Sequence, residues 1–244
     1  MEHVGLNKLP GVVAGFTTRA GGVSVPPYGS FNLAVSTGDR REDVLENRAR
    51  LLAALDFPAG SLAIAGQVHG DHVEVAESAG LIRETDGLVT RRRGLLLGMV
   101  AADCAIVLVA DAAGSCVGAA HAGWRGAVAG IVGNLVATLG GLQCDAADLH
   151  AYISPCISQA RFEVGDEVAE RFDERFVLFN GDSGKAHVDL RGALAAQLLA
   201  AGLEAQNVQI DGRCTYDDVE NFYSYRAQNG QTGRMMGFVG LSRD

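Results

Sequence analysis

Three places in the chain interrupt apolar stretches with side chains that could do chemistry. In GQVHGDHV, residues 66–73, His69 stands between a short apolar run and a strand, and Gly70 permits a close backbone turn beside it. In MVAADCAIVLVAD, residues 99–111, Asp103 and Cys104 break an otherwise apolar stretch, which suits a sheet edge or hairpin corner facing a cleft. In AAHAGWRG, residues 119–126, His121 ends a strand and precedes a helix. Strand ends are where α/β architectures place ligands. Two imidazoles and a thiol there could supply three protein ligands and leave a fourth position vacant, the pattern of a catalytic zinc site. A closed structural site would need a fourth ligand, and the chain has no CxxC pair to supply it. The separations along the chain match no local finger motif.

The same residues support a different enzyme. Cys104 could be a nucleophile and His121 its base, with Asp103 or a backbone carbonyl orienting the imidazole. Metal-bound and nucleophilic cysteines both want an electropositive, half-buried pocket, so spacing leaves the two readings open. The other histidines are read as structural. His72 would point to the opposite face of an extended strand from His69, and His3, His150 and His187 have no motif around them. Cys116, Cys144, Cys156 and Cys214 are read as core or surface thiols.

These side chains need a framework, and the composition supplies one. The chain has 244 residues, 48% hydrophobic and 20% charged, which is a globular balance with enough length for a substantial core. A net charge of −9 argues against nucleic acid or an anionic membrane as partner. The one dense basic cluster, Arg91 to Arg93, reads as a solvated turn. No basic segment followed by an apolar one marks the N-terminus, and the apolar run from Gly94 to Ala102 is far short of a membrane span. Five cysteines, odd in number and widely spread, read as reduced thiols. The expectation is a cytoplasmic monomer of one domain, residues 1–244, without internal repeats.

Strand-like runs cover Val12 to Thr17, Leu62 to Ala65, Val73 to Ala76, Leu95 to Val100, Ala105 to Ala110 and Ser115 to Ala120. Others cover His150 to Ile153, Asn207 to Ile210 and Met235 to Leu241. Helical spacing joins Val128, Ile131, Val132, Leu135 and Leu139 on one face. A second helix fits Glu42 to Leu55, with Val44, Leu45, Leu51, Leu52 and Leu55 inward. A third runs from an Asp189 N-cap to a Gly202 stop, and a fourth spans about Asp166 to Phe176. Strands that follow one another without helices from Leu95 to Ala120 predict a mixed α/β or α+β layered fold, not a doubly wound parallel sheet.

The order of GGVSVPPYGSFNLAVSTGD, QVHGDHV, TDGLVT, ADCAIVLVAD, AAHAGWRG, SPCISQARFEVGDEV, GRCTY and FYSYRAQNGQTGRMMGFVGL resembles the laccase-domain family, from about Gly11 to Leu241. That family is also called multicopper polyphenol oxidase or YfiH-type, and its members are described as purine nucleoside phosphorylases. The resemblance implies a layered α/β/β/α sandwich shared with a bacterial deamidating toxin. It implies zinc held by His69, Cys104 and His121. It also implies phosphorolysis of adenosine, inosine, guanosine and S-methyl-5'-thioadenosine, with deamination of adenosine. The chain departs from the family at Gly66, where relatives often have Thr, and at SPCIS, where they usually read GPAIG. The second departure is expected to bring a Ser and a Cys close to the pocket.

If the resemblance holds, deamination needs a water made acidic by the metal, and Asp103 beside Cys104 is the candidate proton carrier. Phosphorolysis needs cationic or amide donors for a dianion near the ribose. Arg48 in ENRAR and Arg125 are the candidates for phosphate, and Asn32 in SFN for a sugar hydroxyl. Gly123 and Gly126 allow a sharp exit into the helix, and Trp124 is read as a packing wall. The multicopper label fits the residues poorly. No His-x-His pair occurs, and a blue-copper loop would cluster Cys, His and Met, whereas His121 lies far from any Met. Two further readings stay open: a metal-free Cys–His amide hydrolase and a non-catalytic metal-binding module.

Overall fold

The strands alternate their side chains between two environments, and that alternation builds the layers. In the computed structural model, which describes residues 2–179 and 184–243, strands and helices are numbered in chain order. One mixed six-stranded sheet runs β1 (Glu2–His3), β2 (Val12–Phe16), β15 (Met235–Leu241), β7 (Leu96–Ala101), β3 (Leu62–Gly66) and β5 (Gly80–Arg83). A second runs β14 (Val208–Ile210), β10 (Leu149–Ile153), β8 (Ala105–Asp111), β9 (Val117–Ala122), β6 (Gly87–Thr90) and β4 (Val73–Val75). A small sheet holds β11 (Glu163–Val164), β13 (Ala186–Val188) and β12 (Val177–Phe179). The α-helices are α1 (Arg41–Ala54), α2 (Trp124–Ala129), α3 (Ile131–Gly141), α4 (Asp166–Ala169) and α5 (Leu190–Ala200).

In β8, Ile106, Leu108 and Ala110 join Leu97, Met99 and Val239 in a core between the two large sheets. Their neighbours Ala105, Val107 and Val109 face the other way, into a core with Ile131 and Leu135 of α3 and Leu194 of α5. On the far side of the first sheet, Leu62, Ile64, Met236 and Phe238 meet Leu51 and Leu52 of α1. The layer order is α1, sheet, sheet, then α3 with α5, which is the expected α/β/β/α sandwich. Both faces of each central strand are buried, so these strands read as nearly continuous apolar runs.

The chain steps from one sheet to the other at one end of the sandwich. β3 and β7 lie parallel in the first sheet. Residues 67–72 lead from β3 to β4, and residues 102–104 lead from β7 to β8, both in the second sheet. β9 runs antiparallel to β8 and β6 and therefore finishes where those two begin. His69, Asp103, Cys104 and His121 all sit at this end.

Several sequence expectations change. The helix read through Val128 to Leu139 is two helices, because Gly130 takes a left-handed conformation (φ 90°) and breaks the axis. The helix expected over Asp166 to Phe176 is one turn, α4, followed by a 3-10 turn at Glu174–Phe176. Leu45, expected inward on α1, is exposed and borders a cleft. Asp189 caps α5 by accepting the Gly192 N–H, and Gly202 follows in the left-handed region (φ 105°), as the sequence suggested. Cys116 and Cys144, expected as separate thiols, are joined as a disulfide. Cys116 immediately precedes β9 and Cys144 follows α3, which packs on the outer face of β9, so the fold brings together two residues far apart in sequence.

Candidate metal centre and its cleft

His69, Cys104 and His121 offer ligand atoms that all lie within 4.8 Å of one another. The two imidazole rings meet edge to face, with centroids 4.9 Å apart. His69 is exposed, Cys104 half-buried and His121 buried. Two of the turn residues are held in unusual backbone. His69 has φ 63° and Asp103 has φ 85°, the left-handed region that side chains other than glycine seldom adopt. Such conformations persist where the surrounding contacts over-determine them.

Burial alone would push the Cys104 thiol up. The charge of His121, with hydrogen bonds from His121 and His69, instead brings it down to about 6. Burial would likewise lower His121, but the thiolate of Cys104 and the carboxylate of Asp86 raise it to about 9. At neutral pH the metal-free pair is therefore a thiolate beside an imidazolium. Asp86, fully buried, accepts from Nδ1 of His121 at 2.8 Å. It also accepts the main-chain N–H groups of Val68, His69 and Gly70. Burial would raise its carboxyl, yet the His121 and backbone hydrogen bonds hold it below the usual carboxylate range.

The donor set fits a divalent metal of borderline softness. A thiolate and two imidazoles are ligands for such an ion, and three of them leave a position open. With Nδ1 of His121 on Asp86, Nε2 is the nitrogen free to ligate. Among the described residues this is the one cluster of three or more such donors.

The cluster forms one wall of a cleft of about 1110 Å³. Arg41 and Arg48 of α1 line it, and so do Arg226 and Arg234 of the C-terminal segment. Arg48 donates Nε and Nη2 to the Leu33 carbonyl at 2.9 and 2.8 Å. Burial, reinforced by the charge of Arg41, lowers its guanidinium to about 10. Asp103 borders the cleft with both carboxylate oxygens engaged, one by the Thr215 hydroxyl at 2.7 Å and the other by the Arg226 N–H at 2.7 Å. Trp124 also lines the cleft.

Other candidates lie elsewhere. Asn32 is fully buried, and its amide donates to Thr37 and Asp39 while its oxygen accepts from the N–H groups of Ala34 and Arg234. It braces a loop and does not line the cleft. Arg125 is exposed, outside the cleft lining, with its guanidinium carbon 4.3 Å from the centre of the Trp124 ring. In SPCIS, Ser154 accepts the Ile106 N–H and donates to the Pro155 carbonyl, and Cys156 is fully buried, its thiol pushed up to about 12 by burial. Only Ile157 of that segment reaches the cleft.

Sequence reasoning passed over Asp86 and the cleft arginines Arg41, Arg226 and Arg234. Asp86 stands in TDGLVT, where an acid just ahead of an apolar strand is the one sequence signal that could have marked it.

A Deinococcus radiodurans protein named purine nucleoside phosphorylase is 43% identical over 232 residues, covering 93% of this chain and 88% of that one. The Escherichia coli purine nucleoside phosphorylase YfiH is 37% identical, covering 95% of this chain and 94% of its own. The crystal structure of YfiH from Bacillus licheniformis superposes with a TM-score of 0.92 at 30% identity, over 98% of this chain and 94% of that one. YlmD from Geobacillus stearothermophilus gives 0.91 at 33% identity, over 96% and 93%. The family model described as multi-copper polyphenol oxidoreductase laccase matches residues 13–242, and the chain belongs to that family.

Proposed function

We propose that this chain is a zinc-dependent purine nucleoside phosphorylase that also deaminates adenosine, with His69, Cys104 and His121 as the metal ligands. The substrates in this reading are adenosine, inosine, guanosine and S-methyl-5'-thioadenosine, with phosphate as the second reactant. The observation that carries it is the convergence of the three ligands on one wall of a cleft that also presents the neighbouring guanidiniums of Arg41 and Arg48. The names of the relatives support the same activity. When bound, zinc supplies a Lewis acid with an open position.

The protein's own groups do the rest. Two arginines on one face of α1, close enough for one to lower the other's proton affinity, form an electropositive patch suited to a dianion. Arg48 with Arg41, both in the cleft lining, supports the phosphate role better than Arg125, which is exposed and lies outside that lining. Phe57, Ile64 and Trp124 give the cleft apolar walls for a purine. Asp103, with both oxygens occupied, suits a residue that fixes the Arg226 segment over the cleft better than a proton carrier. One His–Cys–His cluster among the described residues is too small for a multicopper centre, and that supports a single ion at this site.

The reading includes a cytoplasmic monomer, and the net charge of −9 supports a small-molecule substrate over nucleic acid. No helix among the described residues is long and apolar enough to cross a membrane. The Cys116–Cys144 disulfide is the feature that runs against a reducing compartment.

A second reading, a metal-free Cys104–His121 amide hydrolase, is favoured by the thiolate–imidazolium pair itself. Chromatography of adenosine incubated with purified protein, with and without phosphate, separates them. Adenine with ribose 1-phosphate, or inosine, supports the nucleoside enzyme, and unchanged adenosine refutes it.

A further inference from the structure

We propose that Asp86 is the positioning residue of the metal centre, one carboxylate that builds two of the three ligand arms before any ion arrives. The inference deepens the functional reading and rests on it, because the arms matter to function only if they hold a metal.

Asp86 immediately precedes β6, and the donors it serves lie on other segments. Its Oδ1 takes Nδ1 of His121 at 2.8 Å and the N–H of His69 at 3.0 Å. Its Oδ2 accepts from Val68 at 2.9 Å and from Gly70 at 2.8 Å. Its own carbonyl accepts the His121 N–H at 2.7 Å. One residue thus fixes the turn after β3 relative to the end of β9. Its side chain has no exposure, so water does not compete for these bonds.

Two consequences follow from chemistry alone. A carboxylate only accepts, so His121 must carry a proton on Nδ1 and present Nε2 to the cluster. Three successive amides converging on the same carboxylate hold the turn in which His69 has its left-handed φ of 63°. An asparagine can satisfy one of these demands but not both. With its oxygen toward Val68 and Gly70, its NH₂ faces both Nδ1 and the His69 N–H, so the imidazole proton moves to Nε2 and blocks the ligand position while one amide of the turn loses its acceptor. With the amide reversed, NH₂ meets two N–H donors and the His69 turn opens.

Zinc affinity is to be measured by competition with a chromophoric chelator for the wild type, Asp86→Asn and Asp86→Glu, with circular dichroism as a check on folding. The expected result is that Asn weakens zinc binding by about 10- to 100-fold. Glu, which keeps the charge but changes the reach, is expected to weaken it as well. Native affinity in either variant overturns the positioning role.

NMR of the ¹⁵N-labelled, metal-free wild type tests the same geometry without a variant or an ion. A hydrogen-bonded Nδ1 proton on His121 and slow amide exchange at residues 68–70 are expected, and their absence overturns the proposal even if the variants fail to fold. Should the wild type show both signals but retain no zinc, the metal reading fails while the pre-built geometry stands.

Discussion

Gly123 leaves the space that the sulfur of Cys104 needs. A β-carbon built at Gly123 would stand 3.0 Å from Cys104 Sγ and 3.5 Å from Cδ2 of His69. The backbone at Gly123 (φ −72°, ψ 172°) is open to any residue, so the requirement is steric and not conformational. Gly123→Ala is therefore expected to displace the thiol, at a cost of about 1–3 kcal/mol of overpacking. Chelator competition should show weaker zinc binding, and thermal unfolding of the metal-free protein should show the cost. Wild-type zinc affinity in the alanine variant would mean that the thiol is not a ligand where it stands.

Cys104→Ser should abolish phosphorolysis and deamination together and release zinc. Zinc binds thiolate far better than an alcohol, and in the proposed reading both reactions draw on the same ion. A serine variant that keeps its zinc while losing activity would favour the nucleophile reading, and stoichiometric block by a thiol alkylator would then be the confirming result.

The arginines should separate the two reactions. Arg48→Ala is expected to raise the KM for phosphate by roughly 10- to 100-fold, the scale of a lost charge-assisted hydrogen bond. Deamination, whose nucleophile comes from water and not from phosphate, should change far less. Arg125→Ala, on an exposed side chain over Trp124, should alter either reaction by less than about twofold. Equal losses in both reactions for Arg48 would remove its phosphate role.

The metal-free protein should carry its charged pair between pH about 6 and about 9. Cys104 is depressed in the folded state, so its contribution to stability is lost as pH falls through about 6. His121 is raised, so its contribution is lost as pH rises through about 9. The two slopes oppose each other, because folding moves a proton from the thiol to the imidazole without changing their number, so the apparent Tm of the stripped protein should stay nearly level between pH about 6 and about 9 on account of this pair. Near pH 7 the thiolate is already formed and His121 is the group still protonated, so zinc uptake should release about one proton. Titration calorimetry in buffers of different ionisation heat measures that number, and release near two would place the thiol proton on Cys104 at neutral pH.

Much of the frame was legible because both faces of β7, β8, β9 and β15 are buried, and such strands are written as apolar runs. β5 was not, since Gly80–Arg83 is an edge strand with exposed positions and no alternation. The break at Gly130 escaped because the apolar spacing continues in register across it. His69, Cys104 and His121 were visible as polar interruptions at strand ends. Asp86 was invisible for the opposite reason, since a buried acid in a short TDG turn looks like any loop until its four donors are seen. Asn32 and Arg125 show the limit of residue type as a guide. Both can bind ligands, but one is spent on a loop and the other lies on the surface. The disulfide joins residues 28 apart in sequence, and only the packing of α3 on β9 brings them together.

β15, the last strand among the described residues, lies inside the first sheet, paired with β2 on one side and β7 on the other. During synthesis β1 and β2 emerge first, yet their bridge to the rest of that sheet is made only when residues 235–241 have left the ribosome. Until then β2 and β7 each present an open edge, a template for pairing with a neighbouring chain. Loss of residues 235–241 would leave two sheet fragments with no seam between them, and the product should aggregate.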